Sequence, residues 1–271
     1  VRKHIKKNNE PLVSVVLPTF NRRNWLPIAL NSLVNQTYTN LEIVVVNDAG
    51  VDVKDIVESY DDDRIKYFSH DVNKGLAASR NTAMSKATGD YFCWLDDDDF
   101  YLPLAVEFRM GQIKKQNAEI VYTRALKDVL EPKGDGNYNL AYKVLYWDSP
   151  WDSDLLLVQN ICPCCCTLFS RKSWDATGNY KLDETLSAAE DQDFWTALSR
   201  KNDFVELKLI DAECTFRNEP KGQMTANLDF SKNWPIIYKR WRHTAKNMKW
   251  VTENQNNILK NVGIDPTKYG L

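Results

Sequence analysis

The stretch "NKGLAASRNTAMSKATGDYFCWLDDDD", residues 73–99, decides how the chain is built. Its alanine-rich first part, closed by Gly89, suits a helix with a glycine stop. The run "DYFCWL" (90–95) then reads as a strand and delivers four carboxylates, Asp96 to Asp99, at its carboxyl end. Four adjacent Asp side chains repel one another and cannot hide unpaired in a core. In open α/β sheets, however, ligands bind in the crevice beyond the carboxyl ends of the strands, and there such a run has a use.

Working outward, strand and helix signals alternate through the first half, which argues for a mainly parallel sheet covered by helices. "LVSVVLP" (12–18) and "LEIVVVND" (41–48) are β-rich runs, and "NWLPIALNSLVNQ" (24–36) places Leu26, Ala29, Leu30 and Leu33 at helical spacing, with Pro27 in the first turn. A helix near 53–60 and the strand "RIKYFSH" precede the opening stretch. Three strand ends should therefore converge: "PTFN" (18–21), "VNDAG" (46–50) and "DDDD" (96–99).

The second half is less regular. Residues 127–153 read as an insertion or lid, "CCTLFS" (165–170) as a strand, "RKSWDATG" (171–178) as a short helix, "AAEDQDFWTALSRK" (188–201) as a helix and "DFVELKLIDAECTF" (203–216) as a strand. From about residue 230, Trp234, Ile237, Tyr238, Trp241, Ala245 and Met248 recur at helical intervals with Lys and Arg between them. A helix docked on the domain accounts for this pattern, and contact with a membrane surface or a second subunit is the sharper alternative.

Composition sets the bounds. The 271 residues are 43% hydrophobic and 27% charged, enough apolar content for one sizeable core. With 35 Lys and Arg against 37 Asp and Glu, the net charge of -2 offers no global field for nucleic acid, so an anionic ligand must be held locally. No apolar run approaches the roughly 20 residues a bilayer span needs, which points to a cytoplasmic protein, membrane-associated at most through its tail. Of six cysteines, four crowd into "NICPCCCTLFS" (160–170). Zinc sites usually bring two separated pairs, and adjacent cysteines make poor disulfide partners, so these read as small apolar residues lining a strand or pocket.

Carboxylates at a strand end serve as a solvated turn, as a hard-cation site, or in acid and base work. Magnesium and manganese take oxygen ligands, typically one or two carboxylates plus substrate phosphates, and Lys74 and Arg80 upstream could face a diphosphate. The motifs "VSVVLPTFNR", "LEIVVVNDAG", "NKGLAASRNTAMSKATGDYFCWLDDDD" and "AAEDQDFW" follow one another as in family 2 glycosyltransferases, which this chain resembles over roughly residues 11–217.

The resemblance implies a GT-A (Rossmann-like) α/β fold over residues 1–228, with a donor half at about 11–126, an acceptor half at about 150–228 and a helical extension at 229–271. It implies an inverting, hexosyltransferase-type enzyme that uses a nucleotide-sugar donor, commonly a UDP-sugar, with Mn2+ or Mg2+. Pro18, Thr19 and Asn21 would lie beside the nucleotide, Asp48 would bond the base, and Arg80 would sit near the diphosphate. Asp96 and Asp98 match the family's Asp-x-Asp element, with Asp98 the metal ligand and Asp96 or Asp97 reaching the ribose.

Asp191, beside Glu190, matches the catalytic base, and a helix start there would tend to keep it ionised. Where relatives carry Arg-x-His, this chain has Arg217 but Glu219, with Lys221 as a substitute cation. The acceptor would be a saccharide or lipid-linked saccharide of surface or secreted polysaccharide synthesis, met by "NICPCCCTLFS" and by Trp147 and Trp151, unless these two tryptophans serve as lid packing. The rival reading is a sugar-nucleotide binding module without turnover.

Overall fold

The computed structural model describes residues 10–133, 137–146, 149–217 and 230–271. In chain order the first half runs β1 (Val13–Thr19), α1 (Leu26–Val34), β2 (Leu41–Asn47), α2 (Lys54–Ser59), β3 (Ile65–Ser69), α3 (Leu76–Lys86), β4 (Tyr91–Trp94), β5 (Phe100–Tyr101) and α4 (Ala105–Gln116). The second half continues with β6 (Ile120–Pro132), β7 (Tyr138–Tyr146), α5 (Ser153–Val158), β8 (Thr167–Ser170), α6 (Arg171–Asp175), α7 (Glu190–Ser199) and β9 (Phe204–Arg217). Two further helices close the chain, α8 (Phe230–Trp241) and α9 (Met248–Asn261).

One mixed sheet carries the strand order β3-β2-β1-β4-β8-β6-β9-β5, with β7 added beside β6. Every residue of β1 and β2 is buried, which is why both read as unbroken apolar runs rather than alternating ones. β3, β2, β1 and β4 are parallel neighbours. β8 is antiparallel to β4 and to β6, and β9 is parallel to β6, so β6 and β9 run in the same direction as β1. The carboxyl ends of β1, β2, β4 and β9 therefore point to one edge of the sheet, and reversed β8 presents its amino end there.

The core divides over the two faces of the sheet. One face packs Val13, Val15 and Leu17 with Leu26, Leu30 and Leu33 of α1. The other packs Val16, Val44 and Trp94 with α3 and with Phe194 and Trp195 of α7. Trp94 stacks on Trp195 with centroids 4.6 Å apart, which ties β4 to the helix whose first turn holds Glu190 and Asp191.

Three expectations need correcting. The α3 helix ends at Lys86, and Gly89 is no cap: a Cβ there would stand 2.4 Å from Ser14 Oγ and 2.8 Å from the Leu12 carbonyl, so close approach to β1 requires glycine. The supposed lid is largely sheet, because β6 continues to Pro132 and β7 pairs back along it; residues 134–136 and 147–148 lie outside the described residues. Trp151 stacks flat on Phe204 at 4.4 Å and 7°, so it packs against the core rather than facing a ligand.

The tail docks as two helices. Ile237 and Tyr238 are buried, Tyr238 donates to the Val158 carbonyl at 2.7 Å, and Trp241 Nε1 donates to Asp193 at 2.7 Å. Val251 and Leu259 of α9 are buried, Val251 against Leu157 and Val158 of α5. Among the described residues no helix is long and apolar enough to cross a membrane.

Candidate functional site

A cavity of about 990 Å³ opens at the edge where the strand ends meet. Its wall takes Pro18 and Thr19 from β1, Asp48 after β2, Asp96 to Asp99 after β4, Cys164 and Cys165 before β8, Glu190 and Asp191 from α7, and Cys214 to Phe216 from β9.

The four carboxylates are not equivalent, because each has a different set of partners. Asp96 pairs with Arg80 at 2.7 Å. Asp97 accepts from Thr19 Oγ1 at 2.7 Å and from Arg22 at 2.8 Å. Asp98 is bracketed by Arg22 at 2.7 Å and Arg217 at 2.9 Å. Asp99 accepts from the Thr215 backbone N–H at 2.8 Å. Guanidinium groups and one backbone donor thus resolve the repulsion that the sequence poses, although burial still pushes Asp97 up to about 7 and holds Asp98 and Asp99 above the ordinary carboxylate range.

Arg80 links the two acidic motifs. It projects from α3, is buried, lies over the Trp94 ring at 5.0 Å, and spans Asp96 and Glu190 at 2.7 and 2.8 Å. Its Nε finds no partner among the described residues, so this cavity-lining guanidinium retains an unused donor.

Asp191 stands in the first turn of α7, as its sequence position predicts. It accepts from Asn160 Nδ2 at 2.7 Å and from the Gln192 N–H at 2.8 Å. The helix start does not set its titration alone: burial raises its pKa, with Arg80 and these hydrogen bonds partly opposing. Burial likewise lifts Glu190 to about 7 despite Arg80. The residue before the pair, Ala189, has φ 61°, a left-handed conformation that costs a non-glycine residue about 1 kcal/mol and aims the helix start into the cavity wall.

Two residues expected beside the nucleotide brace loops at the cavity in this structure. Asp48 lines the cavity, but its carboxylate accepts from the Lys74 and Gly75 N–H groups at 2.9 and 2.7 Å and meets His70 Nδ1 at 2.7 Å, fastening the loop that opens α3. Asn21 is not part of the wall; its Oδ1 accepts from Val51 N at 2.9 Å, tying the loop after β1 to the loop after β2.

Asp96 and Asp98 supply hard oxygen donors on the cavity wall, and that donor type suits Mn2+ or Mg2+ completed by phosphate oxygens. The residues fit such an ion as a one- or two-carboxylate site. Glu219 and Lys221 lie outside the described residues, as does Trp147.

Sequence reasoning missed Arg22 altogether. It sits in "PTFNRRNW" after β1, and only the packing of β1 beside β4 brings it to residues 97 and 98. Asn160 and Thr215 lie in stretches read as an acceptor lining and a strand, but nothing local shows that the Asn160 amide reaches Asp191 or that the Thr215 N–H reaches Asp99.

The family model described as glycosyl transferase family 2 matches residues 14–177. An uncharacterized glycosyltransferase of Rickettsia bellii is 32% identical over 213 residues, which is 77% of this chain but 30% of that protein, so the chain spans about a third of this relative's length. An Escherichia coli protein named UDP-Glc:alpha-D-GlcNAc-diphosphoundecaprenol beta-1,3-glucosyltransferase is 32% identical over 112 residues, 41% of this chain and 44% of that one. Residues 1–349 of Staphylococcus aureus TarS, solved with UDP-GlcNAc, superpose with a TM-score of 0.67 at 19% identity, covering 92% of this chain and 71% of that one.

Proposed function

The chain belongs to glycosyl transferase family 2 and has the GT-A-like fold, and on that basis we propose that it transfers a sugar from a nucleoside diphosphate donor, a UDP-sugar, to an acceptor hydroxyl with inversion. The observation that carries this reading is Arg80 joining Asp96 to Glu190, with Asp191 adjoining, across a single cavity of ligand size.

The acceptor oxygen attacks the anomeric carbon from the side opposite the diphosphate. The new C–O bond forms as the bond to the leaving oxygen breaks and its electron pair departs on the diphosphate. Asp191 takes the acceptor proton, and the raised pKa that burial gives it strengthens it as a base once ionised. Asn160 and the Gln192 N–H fix the orientation of that carboxylate. Arg80 offers charge to the departing diphosphate, and Pro18, Thr19, Asp48, Asp96 and Asp97 form the nucleotide side, with Asn21 shaping its loop. A divalent cation, Mn2+ or Mg2+, held through Asp98 with Asp96 beside it, supplies charge neutralisation of the diphosphate when bound.

In this reading residues of about 11–126 serve the donor and those of about 150–228 the acceptor. The acceptor is a saccharide or lipid-linked saccharide. Supporting the lipid-linked form, residues 230–271 hold eight Lys and Arg against two acids in a chain of net charge -2, and Trp250, Met248 and Ile236 are exposed there. A peripheral contact between this extension and an anionic membrane follows.

Replacing Asp191 with Asn tests the assignment of the base. Transfer should fall by about 10²- to 10⁴-fold while UDP affinity stays within about twofold. Substantial transfer by Asp191→Asn would remove the residue from this role.

A further inference from the structure

Behind the acidic run lies a second cluster that the proposed transfer does not use. Cys165, Cys214 and Asp99 each offer a ligand atom, and those atoms all lie within 4.8 Å of one another. The two sulfurs are 3.1 Å apart, and all three residues line the cavity. We propose that Cys165, Cys214 and Asp99 form a binding site for a thiophilic d10 cation of the Zn2+ or Cd2+ class, distinct from the hard-cation position at Asp98.

The sheet topology explains why no sequence spacing reveals such a site. Cys165 precedes β8, Cys214 lies near the carboxyl end of β9, and Asp99 follows β4. Because β8 runs against β4 and β6 while β9 runs with β6, these three points arrive at the same edge of the sheet. Zinc motifs read from sequence rely on paired ligands close in the chain; here single residues on three separate segments replace the pairs. Of the other cysteines, Cys93, Cys162 and Cys166 are buried away from the cavity wall, and Cys164 lines it on the side of Asp96, 3.9 Å from that carboxylate.

The chemistry separates this cluster from its neighbour. Two sulfurs and one carboxylate select a borderline or soft ion, whereas carboxylates alone select magnesium or manganese. As each metal–sulfur bond forms, the thiol gives its proton to solvent, and any proton that Asp99 holds leaves as its carboxylate binds, so binding releases two protons from the thiols and at most one from Asp99 and reduces nothing. Three protein ligands leave a tetrahedral ion one further position for water or a ligand atom from the cavity. Asp99 stays anchored through its bond from the Thr215 N–H, which places an occupied site directly beside Asp98.

The test is titration of the metal-free full chain with Cd2+ under reducing conditions, followed by ultraviolet sulfur-to-cadmium absorption. The account expects a band that saturates at one equivalent, persists in a large excess of Mg2+, and is lost in Cys165→Ala and in Cys214→Ala but kept in Cys162→Ala. Since a core substitution can unfold the chain, alkylation of the native protein provides the second readout: Cd2+ should protect Cys165 and Cys214 together, each by about tenfold or more. Absence of the band in the native chain, its survival in the Cys165→Ala/Cys214→Ala double variant, or unprotected Cys165 and Cys214 would overturn the proposal.

Discussion

The two walls of the cavity are built by different means. The wall formed by the ends of β1, β2 and β4 comes from parallel neighbours, each carrying its polar groups immediately after its own apolar run. The facing wall takes the amino end of β8, the first turn of α7 and the far end of β9, pieces separated by long stretches of chain: β8 runs against β4 and presents its amino end, while β9 runs with β6 and presents its carboxyl end. On the first wall, order in the sequence is nearly order in space. On the second, position depends on long-range pairing, and the two are coupled by Arg80 between Asp96 and Glu190, by Arg217 on Asp98 and by the Thr215 N–H on Asp99.

Removing the Arg80 link should strike both transfer and stability. Arg80→Ala leaves Glu190 buried without its counter-ion, while Asp96, 27% exposed at its side chain, recovers some hydration. Transfer should drop by about 10²-fold or more. Stability should fall by about 3 kcal/mol, the low end for a broken buried pair. Thermal unfolding and transfer assays on one preparation check both, and a variant that loses stability with its transfer intact would break the link between the walls.

A buried pair away from the cavity provides the contrast. Arg109 grips Asp211 through two bonds of 2.7 and 2.5 Å, and Thr123 adds a third to the same carboxylate. Arg109→Ala should cost about 3–5 kcal/mol, because both partners are fully buried, yet UDP affinity of the remaining folded protein should be unchanged. A shifted UDP affinity, measured below the unfolding temperature, would mean that the walls are coupled through the sheet as well as through Arg80.

The smallest effect concerns pH. Glu190 titrates near 7 in the folded chain against an ordinary value of 4.5, so between these the native state holds a proton that the unfolded state has released. Its contribution is therefore complete below about pH 4.5 and is lost as pH rises through 7, the direction linkage requires for a raised carboxyl. Glu190→Gln should flatten the fall in stability across that window by on the order of 2 kcal/mol. Chemical denaturation at several pH values in chelator reads this, and an unchanged slope would show that Glu190 is already ionised beside Arg80.

The same contrast explains what could be read in advance. The apolar runs of β1 and β2, the helical spacing of α1 and the carboxylates after β4 were legible because each signal is local, and the order of four motifs carried the family. Arg22, the contact of Asn160 with Asp191 and the meeting of Cys165, Cys214 and Asp99 were not, because no local signal marks a residue whose partner lies far along the chain. Misreadings followed the same line: Gly89 resembles a helix stop but serves a close approach to β1, and the apparent lid is a strand pair whose partner strand the sequence does not reveal. Asp191 stands in the first turn of α7 as expected, but the burial that raises its pKa comes from distant segments and has no local signal.

The most direct test of the central claim is titration calorimetry with UDP, with and without Mn2+, on the native chain and on Asp98→Ala. The account predicts UDP binding that Mn2+ strengthens by about tenfold or more, with that gain lost in Asp98→Ala. Failure of the native chain to bind UDP under either condition would contradict it.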